Sequence, residues 1–335
     1  MPAILLSGVG AEPKSLSDFL FLTDAPMTIL TSKLQVGETL GKEKHTYKVG
    51  RRRDPIESAT PDGAPPSPTE GADPEYEVDV RVGFFEGKAG VGKFAKHKVD
   101  YAQTVAATPG KNKGKTGALH LAKAKAQQLR RIKWGMEKKA LGDDESAAET
   151  ATAASKYRGL GKTLQTTAQT DLPIDSNVRT PTGQIYTGTV ADFTEAALID
   201  AMQSRWDSTQ YAAELLGLFG SDLKERVGVF NRREPTISNY TTTIRYNSDE
   251  AKTMRSGVDL YHGDFGEAEF MLASWMPNAK RGYLLELEQC QKLPFGPGMA
   301  EEALGKDGSG DAVVLWAMFA VLFGDPRAHI KFAAT

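Results

Sequence analysis

A chain of 335 residues with a formal net charge of −2 carries no global field toward nucleic acid, and it is long enough for one large or two medium domains. Its single cysteine, Cys290, excludes an intrachain disulfide and a cysteine-based metal site, as expected of folding in a reducing cytosol. The start, MPAILLSGVG, lacks the basic residues and long apolar stretch of a secretion signal, so no leader is expected; the longest apolar run, Ala312–Phe323, is shorter than the roughly 20 residues that cross a bilayer as a helix.

Residues 1–43 read as an amino-terminal arm. Short apolar clusters, Phe19–Leu22 and Met27–Leu30, sit between Pro13, Pro26 and Gly37 without a core of their own. They are therefore expected to lie on another surface, the competing reading being a frayed terminus. An extended loop follows over 44–108. Its outgoing strand contains Tyr47, and on its returning strand Tyr76, Val78, Val80, Val82 and Phe84 alternate with Glu77, Asp79, Arg81, Gly83 and Phe85, the period of a half-buried strand. Between them Pro55, Pro61, Pro65, Pro66, Pro68 and Pro74 break both helix and sheet. A two-stranded ribbon is marginal by itself in water. Its apolar face is expected to find a partner outside the arm, most simply a second copy of the chain.

A helix is predicted over 116–142, after the Gly- and Lys-rich turn at Pro109–Lys115. Ala118, Ala122, Leu129, Ile132, Met136 and Ala140 fall on one apolar stripe. At about 1.5 Å per residue such a helix reaches about 40 Å, the proportions of a strut across a sheet. It is strongly basic: Lys111, Lys113, Lys115, Lys123, Lys125, Arg130, Arg131, Lys133, Lys138 and Lys139 face one acid, Glu137. Asp143, Asp144, Glu145 and Glu149 then form an acidic patch.

From Ala147 to about Gly188 the composition predicts a loop-rich connection. Asp192 with Glu195 predicts a capped helix start, with Phe193, Ala196, Ala197, Ile199, Met202 and Trp206 on its buried side. Ser221 is expected to cap a shorter helix ending near Val229. Strands are predicted at Thr241–Tyr246, Val258–His262, Glu267–Ser274 and Tyr283–Gln289, with a hairpin turn at His262–Gly266. The runs Ala312–Phe323 and Ala328–Phe332, joined at Gly324–Arg327, read as an antiparallel hairpin. The whole is α+β, without the βαβ alternation of a doubly wound sheet.

Chemistry is hard to find in this order of residues. The stretch 87–93, GKAGVGK, has phosphate-loop spacing, but Phe94 stands where a hydroxyl must hold magnesium and the following residues alternate like a strand. The stretch 110–116, GKNKGKT, has Thr116 and opens a helix, yet its glycine gap is one residue short and no magnesium-partner aspartate ends a downstream strand. Five scattered histidines form no HxH or HExxH pair. Asp264, Glu267 and Glu269 near His262 read as a solvated turn, and Glu286 and Glu288 as the wet face of a strand. The basic helix is the remaining signal. It reads either as a solvated face or as a surface for non-specific phosphate contact, and the latter supports the alternative of a nucleic-acid-binding protein acting through 111–139.

The order of parts resembles the major capsid proteins of tailed bacteriophages with the Hong Kong 97-type fold. Local stretches carry the same resemblance: YRGLG at 157–161, FTEAALIDAMQSRW at 193–206, SDLKERVGVFN at 221–231, YHGDFGEAEFML at 261–272, WMPN at 275–278 and the final hydrophobic strand with Ala328-His329. The resemblance implies the arm at 1–43, an extended β-hairpin loop at 44–108, a peripheral domain at 109–188 containing a spine helix at 116–142, an axial domain at 189–305, and carboxy-terminal strands at 306–335 returning to the peripheral domain. It implies a structural head protein, assembling as hexamers and pentamers into an icosahedral shell around double-stranded DNA, with no catalytic residues, cofactor, metal or membrane. Arg51, Arg52, Arg53, Tyr76, Val78, Val80 and Phe84 would make contacts between subunits, the arginines facing acidic positions on a neighbour. Lys123, Lys125, Arg130, Arg131 and Lys133 would face packaged DNA on the inner surface. Implied partners are other copies of the chain, a separate scaffolding protein, a portal protein at one vertex and a decoration protein. The implied location is the virion, reached through the host cytoplasm.

Overall fold

The computed structural model describes residues 28–50, 75–92, 115–165, 174–230, 260–304 and 310–335. The end of the arm forms α1 (Ile29–Lys33) and β1 (Gln35–Val36). A ribbon pairs β2 (Lys44–Gly50) antiparallel with β3 (Glu75–Arg81), with Tyr47 opposite Val78. Next come β4 (Gly83–Gly92), the long α2 (Lys115–Ala140), the short α3 (Leu160–Thr163) and β5 (Ile185–Tyr186). The second half holds α4 (Glu195–Thr209), β6 (Ala213–Phe219), α5 (Ser221–Phe230), β7 (Leu260–Gly263) and β8 (Gly266–Leu272). It closes with β9 (Arg281–Glu286), β10 (Gln291–Leu304), β11 (Gly310–Leu322) and β12 (Ile330–Ala333).

Two layers result. A four-stranded sheet, ordered β1-β10-β11-β4, carries α2 across one face. Val313, Leu315, Ala317 and Phe319 of β11 alternate inward onto Ile132 and Met136 of the helix. Burying each of these two side chains stabilises the layer by about 2 kcal/mol. The helix lies low on β4, where a Cβ at Gly87 would stand 3.3 Å from both Gln128 and Ile132. The first glycine of the phosphate-loop lookalike is thus a packing residue in a strand. The predicted stripe appears at Ile132, Met136 and Ala140, all buried.

A six-stranded sheet, ordered β5-β12-β9-β6-β8-β7, is covered on both faces. One side buries Leu215, Phe219, Phe270, Leu284 and Phe332 against α4 and α5 residues such as Leu198, Met202, Leu223 and Val227. The other buries Leu216, Leu218, Tyr283 and Leu285 against Leu30 of α1, Leu141, Tyr157 and Leu160. A strand with both faces covered shows no polar alternation. That is why β6, with sequence AELLGLF, escapes a search for period 2. The strand β10 escapes for another reason. Its register shifts between Pro294 and Met299, and the Pro and Gly residues of that bulge read locally as a loop.

Several expectations are corrected. The last two strands do not pair with each other: β11 lies between β10 and β4, whereas β12 pairs with β9 and β5 in the other sheet. Gly324 takes φ +60°, and a Cβ there would meet the Gln289 carbonyl oxygen at 2.8 Å, so the chain turns out of one sheet and into the other. Helix α4 is capped by Thr194, whose Oγ1 accepts the Ala197 N–H, not by Asp192. Its buried side is Leu198, Ala201, Met202 and Arg205, while Ala196 and Trp206 face out. The apolar face of the ribbon is not left uncovered either. Val49 and Val78 are buried against the chain's own Ile174 and Val178. Nor do the last residues of the arm await another surface, because Leu30 and Leu34 enter the main core. The predicted strand Thr241–Tyr246, the proline-rich tip and the cluster Phe19–Leu22 lie outside the described residues.

Candidate assembly interfaces

Two arrangements hold the extended parts of the chain to its body, and a third is the basic outer face of α2. In the first, α2 presents Glu137 to the arm. Short α1 has no side-chain cap of its own at Thr28, and the Glu137 carboxylate accepts the N–H groups of Leu30 at 2.8 Å and Thr31 at 2.7 Å. Glu137 is 1% exposed, and burial pushes its carboxyl above the ordinary range despite these hydrogen bonds. Lys33 then pairs with Glu269 of β8 at 2.8 Å, tying the far end of α1 to the six-stranded sheet. Beyond it β1 adds in parallel to β10. The sequence signal for Glu137 was present as the lone acid among basic neighbours; its role was not, because the arm reaches it from more than a hundred positions away.

The second arrangement is a hub at the Phe323–His329 crossover between β11 and β12. From the ribbon, the Tyr47 hydroxyl donates to the Gly324 carbonyl at 2.8 Å, and Arg327 Nη2 donates to the Gly50 carbonyl at 3.0 Å. Asp325 holds the Arg327 guanidinium at 2.6 Å. Thr180 and Gln184 donate to the carbonyls of Pro326 and Arg327. From α4, Arg205 Nε donates to the Ala328 carbonyl at 2.8 Å, while Nη2 pairs with Glu286 at 2.7 Å. Arg205 is 1% exposed, and Tyr211 donates its hydroxyl to the same carboxylate. Glu286 is therefore not on a wet strand face but half of a buried ion pair, since α4 covers that face of β9. The ribbon, both sheets and α4 all meet at this crossover.

The third arrangement is the outer face of α2. Lys125 is engaged by Glu301 of β10, and Lys139 by Asp144 at 2.5 Å. Arg130, Arg131, Lys133 and Lys138 are exposed and form no ion pair among the described residues. Lys133 also lies near enough to Lys292 of β10 to push that partly buried amine, itself lowered chiefly by burial, further down. Trp134 packs on Trp275 with ring centroids 5.8 Å apart, so it is a packing residue and not a base-stacking platform. The Lys123 side chain is outside the described residues. Three members of the acidic patch are paired within the chain, Asp144 with Lys139, Asp143 with Arg281 at 2.9 Å and Glu145 with Arg158 at 2.7 Å.

Of the residues expected between subunits, Tyr76, Val78 and Val80 lie on the ribbon, with Val78 1% exposed and unavailable to a neighbour unless the ribbon lifts. Phe84 is in β4 of the four-stranded sheet, opposite Met318, because Val82 interrupts the strand and shifts which residues face inward. Arg51, Arg52 and Arg53 lie outside the described residues.

Nothing in these sites is arranged for catalysis. Cys290 is buried, and burial raises its thiol well above the ordinary value, the reverse of an activated nucleophile. His262 meets Glu267 at 2.9 Å on an exposed hairpin, and no group of three metal-ligating residues occurs among the described residues.

Two sheets linked by the β9–β10 and β11–β12 connections, a long helix across the smaller sheet, and a two-stranded ribbon and arm end seated on that body describe a capsid subunit of the Hong Kong 97 type. Solved structures share this fold. The capsid asymmetric unit of cyanophage A-1(L) matches with TM-score 0.62 at 13% identity, over 94% of this chain and 96% of that one. The capsid of cyanophage P-SCSP1u matches with TM-score 0.55 at 11% identity, over 92% and 89%. The capsid of a native GTA particle matches with TM-score 0.55 at 9% identity, over 92% and 91%. No curated protein sequence matches the chain. The family model of the SU10 major capsid protein matches residues 5–335, and the chain belongs to that family. It is a structural protein of the bacteriophage virion, not an enzyme, and a nucleic-acid-binding role as its primary function is not favoured.

Proposed function

We propose that the chain is the repeating tile of an icosahedral head, forming hexamers and pentamers around packaged double-stranded DNA. The observation that carries this reading is the rigid seating of the ribbon base. Tyr47, Val49, Val78 and the Arg327–Gly50 hydrogen bond fix on the body where β2 ends at Gly50 and where β3 begins at Glu75. In this reading the tip, including Arg51, Arg52 and Arg53, and the partly exposed Tyr76, Val80 and Phe84 engage a neighbouring subunit. Many weak repeated contacts then close the shell by symmetry. The four-stranded sheet with α2 serves as the peripheral domain and the six-stranded sheet as the axial domain.

The exposed bases of α2, led by Arg130, Arg131 and Lys133, face the interior and touch DNA through phosphate without reading sequence. Lys125 contributes less, being held by Glu301. A separate scaffolding protein, a portal protein at one vertex and a decoration protein complete the particle, which is built in the host cytoplasm. Deleting 54–74 tests the proposal. The expected result under negative-stain microscopy is a folded subunit that forms no stable shells where the unmodified chain gives uniform polyhedra or capsomers; equally stable shells from the deleted chain would refute it.

A further inference from the structure

His329 sits at the end of the crossover and touches both sheets. It is fully buried. Its Nδ1 accepts the N–H of Glu286, the last residue of β9, at 3.2 Å. Its Nε2 lies 2.5 Å from the carbonyl of Phe323, just past β11. A carbonyl accepts only, and a backbone N–H donates only, so this pair of contacts fixes the neutral imidazole with its proton on Nε2. The side chain is a bridge with one end in each sheet, and the bridge exists only while Nδ1 is unprotonated.

We propose that the Phe323–His329 crossover is an acid-releasable joint: a proton taken from solvent by His329 Nδ1 sets two N–H groups against each other, breaks the bridge to β9 and opens the buried space around Cys290. The surrounding charges do not forbid the step. Glu286 of β9 and Asp325 of the crossover favour the imidazolium, Arg205 of α4 opposes it, and the Cys290 thiol, 3.9 Å from Nε2, stays protonated. Burial outweighs the two carboxylates and holds the imidazole below its ordinary value of 6.5. Protonation is therefore coupled to opening, because the open state hydrates the imidazole and restores its ordinary affinity for the proton. The Arg205–Ala328, Thr180–Pro326 and Gln184–Arg327 hydrogen bonds contain no histidine, so they confine the release to the β9 side of the crossover.

Cys290 makes the joint measurable, being the chain's one cysteine. The purified full-length protein is labelled with 4,4′-dithiodipyridine, which reacts at acid pH, and its rate is divided by that of a free-cysteine peptide under the same conditions. The expected ratio rises severalfold between pH 7.5 and pH 5, as the open state takes up a proton that the closed state resists. His329→Gln, which keeps one acceptor and one donor but does not titrate, is expected to abolish the rise. A flat ratio in the unmodified chain overturns the proposal, as does an unchanged rise in the variant, which would assign the response to Glu286 or Asp325. Should the variant not fold, deuterium exchange at the histidine Cε1 positions of the unmodified chain decides. A His329 midpoint below 6.5 supports the joint, and one at or above 6.5 refutes it.

Discussion

Glu137, in the last turn of α2, holds Leu30 by its backbone N–H at 2.8 Å, across 107 positions of sequence. The same carboxylate takes the next amide, that of Thr31. A helix of five residues is far too short to persist in isolation. Here it is fixed at one end by a buried carboxylate and along one side by Leu30 and Leu34 in the core. The arm is thereby anchored on its own subunit before it can reach any other.

Glu137→Ala should therefore release the arm. Two buried N–H groups lose their acceptor, a destabilisation of about 2–4 kcal/mol. The expected signature is a lower urea midpoint with faster deuterium exchange confined at first to residues 28–40. Unchanged exchange there would show that Leu30 and Leu34 hold the segment without the carboxylate.

The Arg205–Glu286 pair makes a different prediction. Both partners are buried, at 1% and 6% exposure, so removing one strands the other's charge. Arg205→Leu should cost about 3–5 kcal/mol, while Arg205→Leu combined with Glu286→Leu should cost clearly less than the sum of the single changes. A double-mutant cycle in urea measures the difference; additive costs would mean that the two side chains act independently.

Lys331 of β12 gives a pH dependence. Burial lowers its amine to about 8, against attraction from Asp143, while its Nζ donates to the Gly161 carbonyl at 2.5 Å. The unfolded chain keeps the ordinary lysine value of 10.5, so between about pH 8 and 10.5 the unfolded state binds more protons. Stability from this group must then rise with pH across that window and be flat below it, by about 1.4 kcal/mol per unit at most. Urea midpoints of the unmodified chain minus those of Lys331→Met should show the rise. A difference that stays level from pH 7 to 10 would contradict it.

The exposed bases of α2 should matter to DNA and not to folding. Arg130→Gln, Arg131→Gln, Lys133→Gln and Lys138→Gln together remove no ion pair among the described residues, so the urea midpoint should move by less than about 1 kcal/mol in equivalent stability. Shells built from this variant should hold DNA with a shallower dependence on salt, the slope falling by roughly 0.9 for each phosphate that is no longer neutralised. An unaltered slope would place DNA on another surface.

What the sequence determined by itself is whatever depends on neighbours a few residues apart. The alternation in β3 and the four-residue spacing of Ile132, Met136 and Ala140 are local rhythms, and each marks an element with one covered face. The absence of a complete phosphate loop or histidine pair is local too, and the quoted stretches sufficed to suggest the family to which the chain belongs. Tertiary structure decided everything that depends on what lies across a face. Only the second covering layer made β6 apolar on both sides, turned Glu286 from a surface acid into a buried one, and gave Glu137 an arm to hold. Only the turn at Gly324 sent two adjacent strands into different sheets. Burial is a property of the partner as much as of the residue, and partners brought together from a hundred positions away leave no periodic trace in the chain.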